Sequence, residues 1–168
     1  MTRRISRFVL VILPSFLLLL SSCNSSVVFT DSREMPGNTW KLMDISSFRA
    51  EVDDTLTSNN IFFTLRSSSS YPFRNIWLFV TTIAPDGKSI TDTLQFNLAD
   101  ETGKSYGRGF GDIRELDLPY KSNVYFPARG IYQFNIQHGM RSEDLKGIYD
   151  FGLRIEKIKI KKPQDGKK

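Results

Sequence analysis

The segment NIWLFVTTIAPDGKSITDTLQFNLAD, residues 75–100, indicates the fold class of this chain. Its first half is apolar on both faces, which is typical of a central strand covered on both sides. In its second half, apolar residues alternate with polar ones, the period of a half-buried strand. Ala84–Gly87 between them suits a tight turn, because proline fits its second position and glycine accepts positive φ. The segment therefore predicts a β-hairpin of strands 74–84 and 89–98.

The same two-residue period dominates the chain on either side of this hairpin. It predicts further strands at 27–31, 39–48, 60–66, 121–127, 132–136 and 148–160. The last of these changes phase, which predicts a β-bulge near Glu156. We read Ser67–Ser70 as a loop and residues 142–147 as a single helical turn. The pattern predicts an all-β chain: one β-sandwich, jelly-roll or immunoglobulin-like, of about seven or eight antiparallel strands.

The first residues resemble a secretory signal. Arg3, Arg4 and Arg7 precede the apolar run Phe8–Leu20, which is shorter than the roughly 20 residues that cross a bilayer. Leu20–Cys23 then resembles a bacterial lipobox, which implies a lipid on the sulfur of Cys23. We expect a lipoprotein signal peptide at 1–22 and a lipidated N-terminus with a short tether at 23–30. The sandwich would follow at 31–160, with a disordered basic tail at 161–168.

Charge and rare residues exclude several classes of function. The formal net charge is +5, but it falls to +2 without the three arginines of the signal segment. Because no basic cluster remains in the predicted sandwich, we expect no nucleic-acid partner. The single cysteine excludes an internal disulfide, and the single histidine, His138, excludes a zinc site built mainly from His and Cys. We predict no metal site and no cofactor.

The most unusual internal segment is YGRGFGDIRELDLPY, residues 106–120. Its alternating glycines lack the preceding strand and following helix that a phosphate-binding loop needs. We interpret it as a glycine-kinked excursion between sandwich edges. Arginine and aromatic residues are favoured at interface hot spots, so Arg108, Phe110 and Tyr120 are the predicted partner contacts.

The sequence offers little that indicates catalysis. The paired acids, such as Asp53 with Asp54, suit solvated loops better than a glycosidase cleft. His138 follows a predicted strand without a Ser or Cys motif to pair with, so we expect it to be partly buried and structural. Trp40 and Trp77 are predicted to lie in the core. We predict no catalytic residues and no enzyme activity.

Several sequence segments, taken in their order along the chain, resemble one protein family. They are the lipobox at Cys23, Val28–Asp31, the hairpin Asn75–Asp100, the glycine segment Gly103–Tyr120 and FPARGIYQFNIQHGMR at Phe126–Arg141. Together they resemble the GldH-type gliding-motility lipoproteins of the Bacteroidetes. The resemblance implies an outer-membrane lipoprotein associated with gliding and with the secretion system on which gliding depends. It carries over only Cys23 as a functional position.

Three hypotheses of function follow. The first is a non-enzymatic component of the motility or secretion machinery, anchored in the outer membrane, facing the periplasm and contacting envelope proteins. The second is a glycan- or lipid-binding jelly-roll module. It predicts aromatic residues pointing outward together, drawn from Trp40, Tyr71, Trp77, Tyr120 and Tyr125. The third is a hydrolase, which needs a Ser or an acid within hydrogen-bond reach of His138.

Overall fold

The computed structural model describes residues 26–158, which form ten strands and one short 3-10 turn, Pro36–Asn38. The strands are β1 (Val27–Glu34), β2 (Thr39–Lys41), β3 (Ser46–Val52), β4 (Asn59–Ser68), β5 (Asn75–Ile83), β6 (Ser89–Asn97), β7 (Ile113–Val124), β8 (Gly130–His138), β9 (Asp144–Lys146) and β10 (Ile148–Lys157). Within 26–158 there is no helix long and apolar enough to span a membrane. The all-β prediction is confirmed.

The eight long strands build two four-stranded sheets whose neighbours are all antiparallel. The first sheet has the order β1-β10-β4-β7, and the second has the order β3-β8-β5-β6. This is the order of a jelly roll, in which most connections cross from one sheet to the other. Strands β2 and β9 form a separate two-stranded sheet. The predicted sandwich is confirmed as the jelly-roll type.

Aromatic packing between the sheets forms the centre of the core. Phe63 of β4 is fully buried and stacks on Tyr120 of β7 at a centroid distance of 4.9 Å. Phe151 of β10 lies 5.4 Å from Phe63 and 4.8 Å from the buried Trp40. Strand β3 alternates buried and exposed residues along its whole length, as a half-buried strand must. The apolar alternation of the sequence therefore becomes the interior of the sandwich.

The two lateral sides of the sandwich, where edge strands of the two sheets meet, differ in their contacts. On one side β1 lies beside β3, and Arg33 of β1 donates to the Ile45 carbonyl at 2.8 Å. On the other side β6 faces β7, where Asp92 of β6 accepts a hydrogen bond from Tyr120 at 2.7 Å. We call this second side, between β6 and β7, the open side. It carries residues 106–120, the most unusual internal segment of the sequence.

Several predicted elements were wrong in extent or type. The strand 39–48 is two strands, because a turn at Lys41–Asp44 separates β2 from β3, and the Trp40 indole donates to the Asp44 carbonyl. The strand 121–127 is the end of the longer β7. Residues 142–147 contain β9, which pairs with β2, instead of a helical turn. Pairing to β10 and β7 extends β4 through Ser68, into the predicted serine loop.

Three details also need correction. The bulge in β10 lies at Tyr149 rather than near Glu156, since two residues there face one residue of β4. Trp77 lies on the outer face of the second sheet, because its neighbours Ile76 and Leu78 take the inner positions. His138 is fully buried instead of partly buried.

Some predictions concern residues outside the described range. They are the signal peptide 1–22, the lipid on Cys23 and the tail 161–168. Strand β1 begins at Val27, so residues 27–30 of the predicted tether lie in the first sheet.

Candidate functional site

The segment between β6 and β7 ends in a tight hairpin, residues 106–115, which we call the glycine hairpin. Arg108 N–H donates to the Glu115 carbonyl at 2.9 Å, and Glu115 N–H donates back at 2.7 Å. This bridge encloses residues 109–114, of which 109–112 precede β7 and form the tip. The predicted glycine-kinked excursion is thus a compact hairpin that extends the start of β7.

Glycine is required in this hairpin because the two arms approach very closely. At Gly109 a Cβ atom would lie 2.1 Å from the Ile113 carbonyl oxygen, and its φ of 151° is unfavourable for other residues. Gly111 adopts a φ of 62°, the left-handed region, at the other side of the tip. The alternating glycines therefore close the turn with Phe110 between them.

Asp112 ties the tip to the rest of the sandwich. Its carboxylate accepts hydrogen bonds from the Ser68 hydroxyl at 3.0 Å and the Ser69 hydroxyl at 2.6 Å. The phenol of Tyr149, the bulge residue of β10, donates to the same carboxylate. The bond from Ser69, followed by that from Tyr149, lowers the pKa of Asp112 to about 2. A single carboxylate thus joins the tip to two strands of the first sheet.

The tip presents an apolar side chain to solvent. Phe110 is 96% exposed, and Arg108 is exposed beside it. Arg114 supports the turn, since its guanidinium donates to the carbonyls of Gly111 and Ile113, both at 2.8 Å. The structure therefore places two of the three predicted contact residues close together on one fixed hairpin.

A groove of about 430 Å³ runs beside this hairpin along the open side. Its apolar lining residues include Phe96 of β6, Tyr106 of the hairpin and Leu116, Leu118 and Pro119 of β7. Arg108 and Glu115 add opposite charges at its rim. This groove forms only where two edge strands of different sheets face each other, so no local sequence pattern predicts it.

Tyr120, the third predicted contact residue, lies elsewhere. It is five residues beyond Glu115 along β7, a distance of about 16 Å at the usual strand rise. Its ring packs on Phe63 and its hydroxyl donates to Asp92, which also pairs with Lys121 at 2.9 Å. Burial and then this hydrogen bond raise the pKa of Tyr120. The structure does not bring Tyr120 together with Arg108 and Phe110.

A second, apolar hollow lies past Tyr120 on the open side. Ile90 of β6 and Tyr125 form its exposed rim, and Val124, Phe126, Pro127, Tyr132 and Phe134 are among its other lining residues. Only Lys121 contributes a charge to this lining. The open side therefore has a polar-rimmed groove at the hairpin end and an apolar hollow at the other end.

The aromatic residues of the glycan hypothesis do not share one face. Trp40 is completely buried, Tyr125 lines the apolar hollow, and Trp77 is 39% exposed on the outer face of the second sheet. Phe79 is exposed beside Trp77 on β5. This pair, which the sequence analysis assigned to a covered strand, is the aromatic feature of that outer face.

His138 has no role in acid–base chemistry that the geometry supports. Neither of its ring nitrogens forms a hydrogen bond with a Ser hydroxyl or a carboxylate in residues 26–158. Its ring meets the edge of Trp40 at 5.6 Å. Burial lowers its pKa, and the backbone groups of Trp40 and Glu143 oppose that shift. The hydrolase hypothesis thus gains no support from His138.

Metal-binding geometry is equally absent from the described part of the chain. Residues 26–158 contain no group of three or more His, Cys, Asp or Glu side chains that could hold a metal ion. The surface around the glycine hairpin presents an exposed aromatic, nearby arginines and two apolar depressions.

Comparison with known proteins identifies the family. The family model for the GldH lipoprotein matches residues 27–155, from the first residue of β1 almost to the end of β10. The chain belongs to the GldH lipoprotein family. The resemblance predicted from the sequence is therefore confirmed.

Two GldH relatives are similar over most of their length. One, the gliding motility lipoprotein GldH homolog of Christiangramia forsetii, is 32% identical over 159 residues, which cover 90% of this chain and 97% of the relative. The other, the gliding motility lipoprotein GldH of Flavobacterium johnsoniae, is 36% identical over 146 residues, 83% of this chain and 90% of the relative.

Solved structures give only a distant likeness to this GldH-family chain. A protein in the structure of infectious bursal disease virus Gx strain aligns with a TM-score of 0.35 and 16% identity, covering 77% of this chain and 30% of the viral chain. A second structure, of the T13 particle of that virus, aligns with a TM-score of 0.32 and 15% identity, covering 76% of this chain and 28% of that one.

Proposed function

We propose that this GldH-family protein is a membrane-anchored, non-enzymatic component of the gliding-motility machinery and its associated secretion system. In this proposal it contacts an envelope protein through Arg108 and Phe110 at the tip of the glycine hairpin. The names of its two relatives support the gliding role. The main observation in favour of this contact is that Phe110 is 96% exposed. It lies on a hairpin that the Arg108–Glu115 bridge and the bonds of Asp112 hold in place.

The fixed geometry of the tip favours a contact role. A large aromatic side chain exposed to water has no stabilising effect on the folded monomer, whereas its burial at an interface removes apolar surface from water. Because Asp112 and the Arg108–Glu115 bridge already hold the backbone, little loop entropy remains to be lost on binding. Aromatic residues, phenylalanine among them, and arginine are enriched at protein interfaces relative to the rest of the surface.

The tip also lies at the end of the sandwich opposite Val27, the first residue of β1. Val27, four residues after Cys23, pairs with Glu156 near the Asn59 end of β4. Asp112 is bound at Ser68, the other end of that strand. The nine intervals of β4 between these ends span about 30 Å. A lipid on Cys23 would therefore leave Phe110 directed away from the membrane.

This arrangement suits a lipoprotein of the outer membrane that faces the periplasm. Residues 24–26 carry no charge, which agrees with release to the outer membrane by analogy with lipoprotein sorting. Anchoring by two or more acyl chains is stable, whereas a single chain of similar length binds only marginally. Confinement to one leaflet raises the effective concentration of the tip near its envelope partner. Tyr120 lies apart from the tip on the open side, with its hydroxyl bound to Asp92, and would form a separate contact with the partner.

The test is photo-crosslinking in intact envelopes with the full-length protein. A photoreactive residue at position 110 should give a defined heterologous crosslink, and Arg108→Ala should weaken it at least fivefold. The matched control places the same residue at Leu56, which is 86% exposed on the loop before β4, at the opposite end of the sandwich. Equal crosslinking from positions 56 and 110, or none from position 110, would contradict the proposal.

One observation favours a second candidate function, glycan binding. The outward positions of β5, β6 and β8 carry no ionisable group. Besides Trp77 and Phe79 they hold two aliphatic residues, Ile83 and Ile131, and neutral amide or hydroxyl side chains. Aromatic faces and uncharged hydrogen-bonding groups suit a neutral sugar chain. Affinity electrophoresis in neutral polysaccharide gels would then retard the protein, and Trp77→Ala would abolish the retardation while Phe110→Ala would preserve it. Unretarded wild-type protein would exclude this candidate for the sugars tested.

A further inference from the structure

The four edge strands of the sandwich are not equally protected against pairing with another chain. An exposed edge is a template for a further strand, and proteins usually block it with charges, proline or bulges. Strand β7 carries Pro119 and two register shifts against β4. Strand β1 has a bulge between Val27 and Phe29 and carries three charged residues. Strand β3 places Arg49 and Glu51 on its outer face and lies beside β1.

Strand β6 has neither a proline nor a bulge, and it carries a single charge. Its sequence, SITDTLQFN, contains no proline, glycine, lysine or arginine. Its nine residues pair with β5 in one uninterrupted register. Its single charge, Asp92, turns toward Tyr120 and Lys121 on the open side and is neutralised there. The edge of β6 is therefore long, regular and uncharged.

The backbone groups on this edge can be assigned from the pairing. Ala84 N–H donates to the Lys88 carbonyl, and Leu98 N–H donates to the Arg74 carbonyl, in the register of the β5–β6 pair. Antiparallel bonds alternate, so even-numbered residues of β6 direct their N–H and C=O groups at β5. The odd-numbered residues Thr91, Thr93 and Gln95 direct theirs at the free edge. Apart from the ladder to β5, no backbone group of residues 89–97 bonds to another element of the described chain.

We infer that β6 accepts an extended strand from another envelope protein, which would join the second sheet as a fifth strand. Main-chain bonds at Thr91, Thr93 and Gln95 would supply the pairing, and pockets for alternate side chains would supply the selectivity. This proposal goes beyond the contact at Phe110 and does not depend on it.

The surroundings of β6 specify the chemistry of the added strand. Side chains on its inner side would extend over the open side, toward the apolar hollow at Ile90 and the groove at Phe96. Side chains on its outer side would continue the neutral face of Thr91, Thr93 and Gln95. The partner segment is therefore about five to seven residues with apolar side chains at alternate positions and neutral polar ones between them.

The tail of this chain does not fit that description. Residues 159–168, KIKKPQDGKK, contain one aliphatic residue, five lysines and Pro163. A proline lacks the N–H that strand pairing needs, and lysines on an edge oppose pairing. A second copy of the chain, joined β6 to β6, is the remaining occupant, and the experiment separates it from a heterologous strand.

The test measures amide hydrogen exchange of the full chain in detergent with a defined probe, the peptide KVTVTVTVK. The amides of Thr91, Thr93 and Gln95 should exchange at least tenfold more slowly when the peptide is present. Changing Thr91 and Gln95 to Lys should remove this protection, because both charges would stand on the pairing edge. The matched control, Thr30→Lys with Ser32→Lys, places the same charges on the exposed edge of β1 and should keep it.

Two further measurements test strand addition at β6 separately from the contact at Phe110. Phe110→Ala should leave the peptide protection unchanged, and the β6 lysine variant should leave the crosslink from position 110 unchanged, so the two proposals fail separately. A photoreactive residue at position 93 in intact envelopes should capture a heterologous segment with alternating apolar residues. Absence of protection by the peptide, equal protection at β1, or capture of β6 from a second copy would overturn the inference.

Discussion

The two hairpins of this molecule are built by different means. The hairpin of β5 and β6 is held by its side chains, since Ile76, Leu78 and Val80 are completely buried in the core. The glycine hairpin is held by its backbone and by one carboxylate, and its central residue, Phe110, is almost completely exposed. The first hairpin stabilises the fold, whereas the second presents a surface. Substitutions in the two should therefore have opposite consequences for stability and for contact.

The largest expected effect is Leu78→Ala in the first hairpin. Removing a fully buried leucine leaves a cavity that the packed sheets cannot fill, and such changes cost about 2–5 kcal/mol. Urea denaturation of the purified domain would measure the free energy of unfolding. Phe110→Ala is the matched control in the second hairpin and should change it by less than about 0.5 kcal/mol. Equal losses in both variants would show that Phe110 is packed in solution.

A matched pair of glycine substitutions sharpens the comparison. Gly109→Ala forces a Cβ against the Ile113 carbonyl and should destabilise the chain by about 1–3 kcal/mol. Gly87→Ala, in the turn between β5 and β6, meets no atom within 4 Å and incurs only the strain of its φ of 82°, about 1 kcal/mol. Thermal unfolding of both variants would rank them. A larger loss at Gly87 would contradict the account of the glycine hairpin.

The same contrast explains what the sequence could predict. Among the long strands of residues 26–158, only β5 and β6 are adjacent in both the chain and a sheet, so local alternation and turn residues predict them. The other connections cross between sheets, and their partners depend on long-range packing. The first half of β7 was missed because charged residues surround Leu116 and Leu118, although their alternation was a usable signal. Strand β9 was missed because it has only three residues and forms by pairing with β2, which is distant in the sequence.

The candidate site was predictable only in part, for the same reason. Alternating glycines indicated an unusual backbone around Arg108 and Phe110, and the hairpin is there. Nothing local indicated that Tyr120 would pack on Phe63, since the bulges of β7 that direct its side chain depend on the register with β4. The second face of β5 was predicted as covered, yet Trp77 and Phe79 stay exposed because no element within residues 26–158 buries them.

A smaller effect is expected from His138, which pairs with Leu78 beneath the first hairpin. Burial lowers its pKa below the unfolded value near 6.5, so the unfolded chain binds the extra proton first. Stability should therefore be full above pH 6.5 and fall as the pH decreases below it, by up to about 1.4 kcal/mol per pH unit. Urea midpoints at pH 7.5 and 5.5 would show this, and His138→Leu should flatten the dependence in that interval. A wild-type midpoint that does not fall would contradict it.

The smallest effect on global stability is expected from Asp112→Asn, because this carboxylate holds the tip and not the core. The folded pKa of about 2 lies below the unfolded value of 3.8, so its contribution is present above pH 3.8 and is lost as the pH falls through about 2. An amide keeps the size of the side chain but weakens the bonds from Ser68, Ser69 and Tyr149. Hydrogen exchange at neutral pH should therefore become faster in residues 107–113 and stay unchanged in β5 and β6.

The β5–β6 turn supplies the matched control: Asp86→Asn removes a carboxylate that pairs with Lys88 in the exposed turn and should leave residues 107–113 unaffected. Faster exchange throughout the second sheet of the Asp112 variant would mean that the tip supports the core. It would contradict the conclusion that one hairpin stabilises the fold while the other presents a surface.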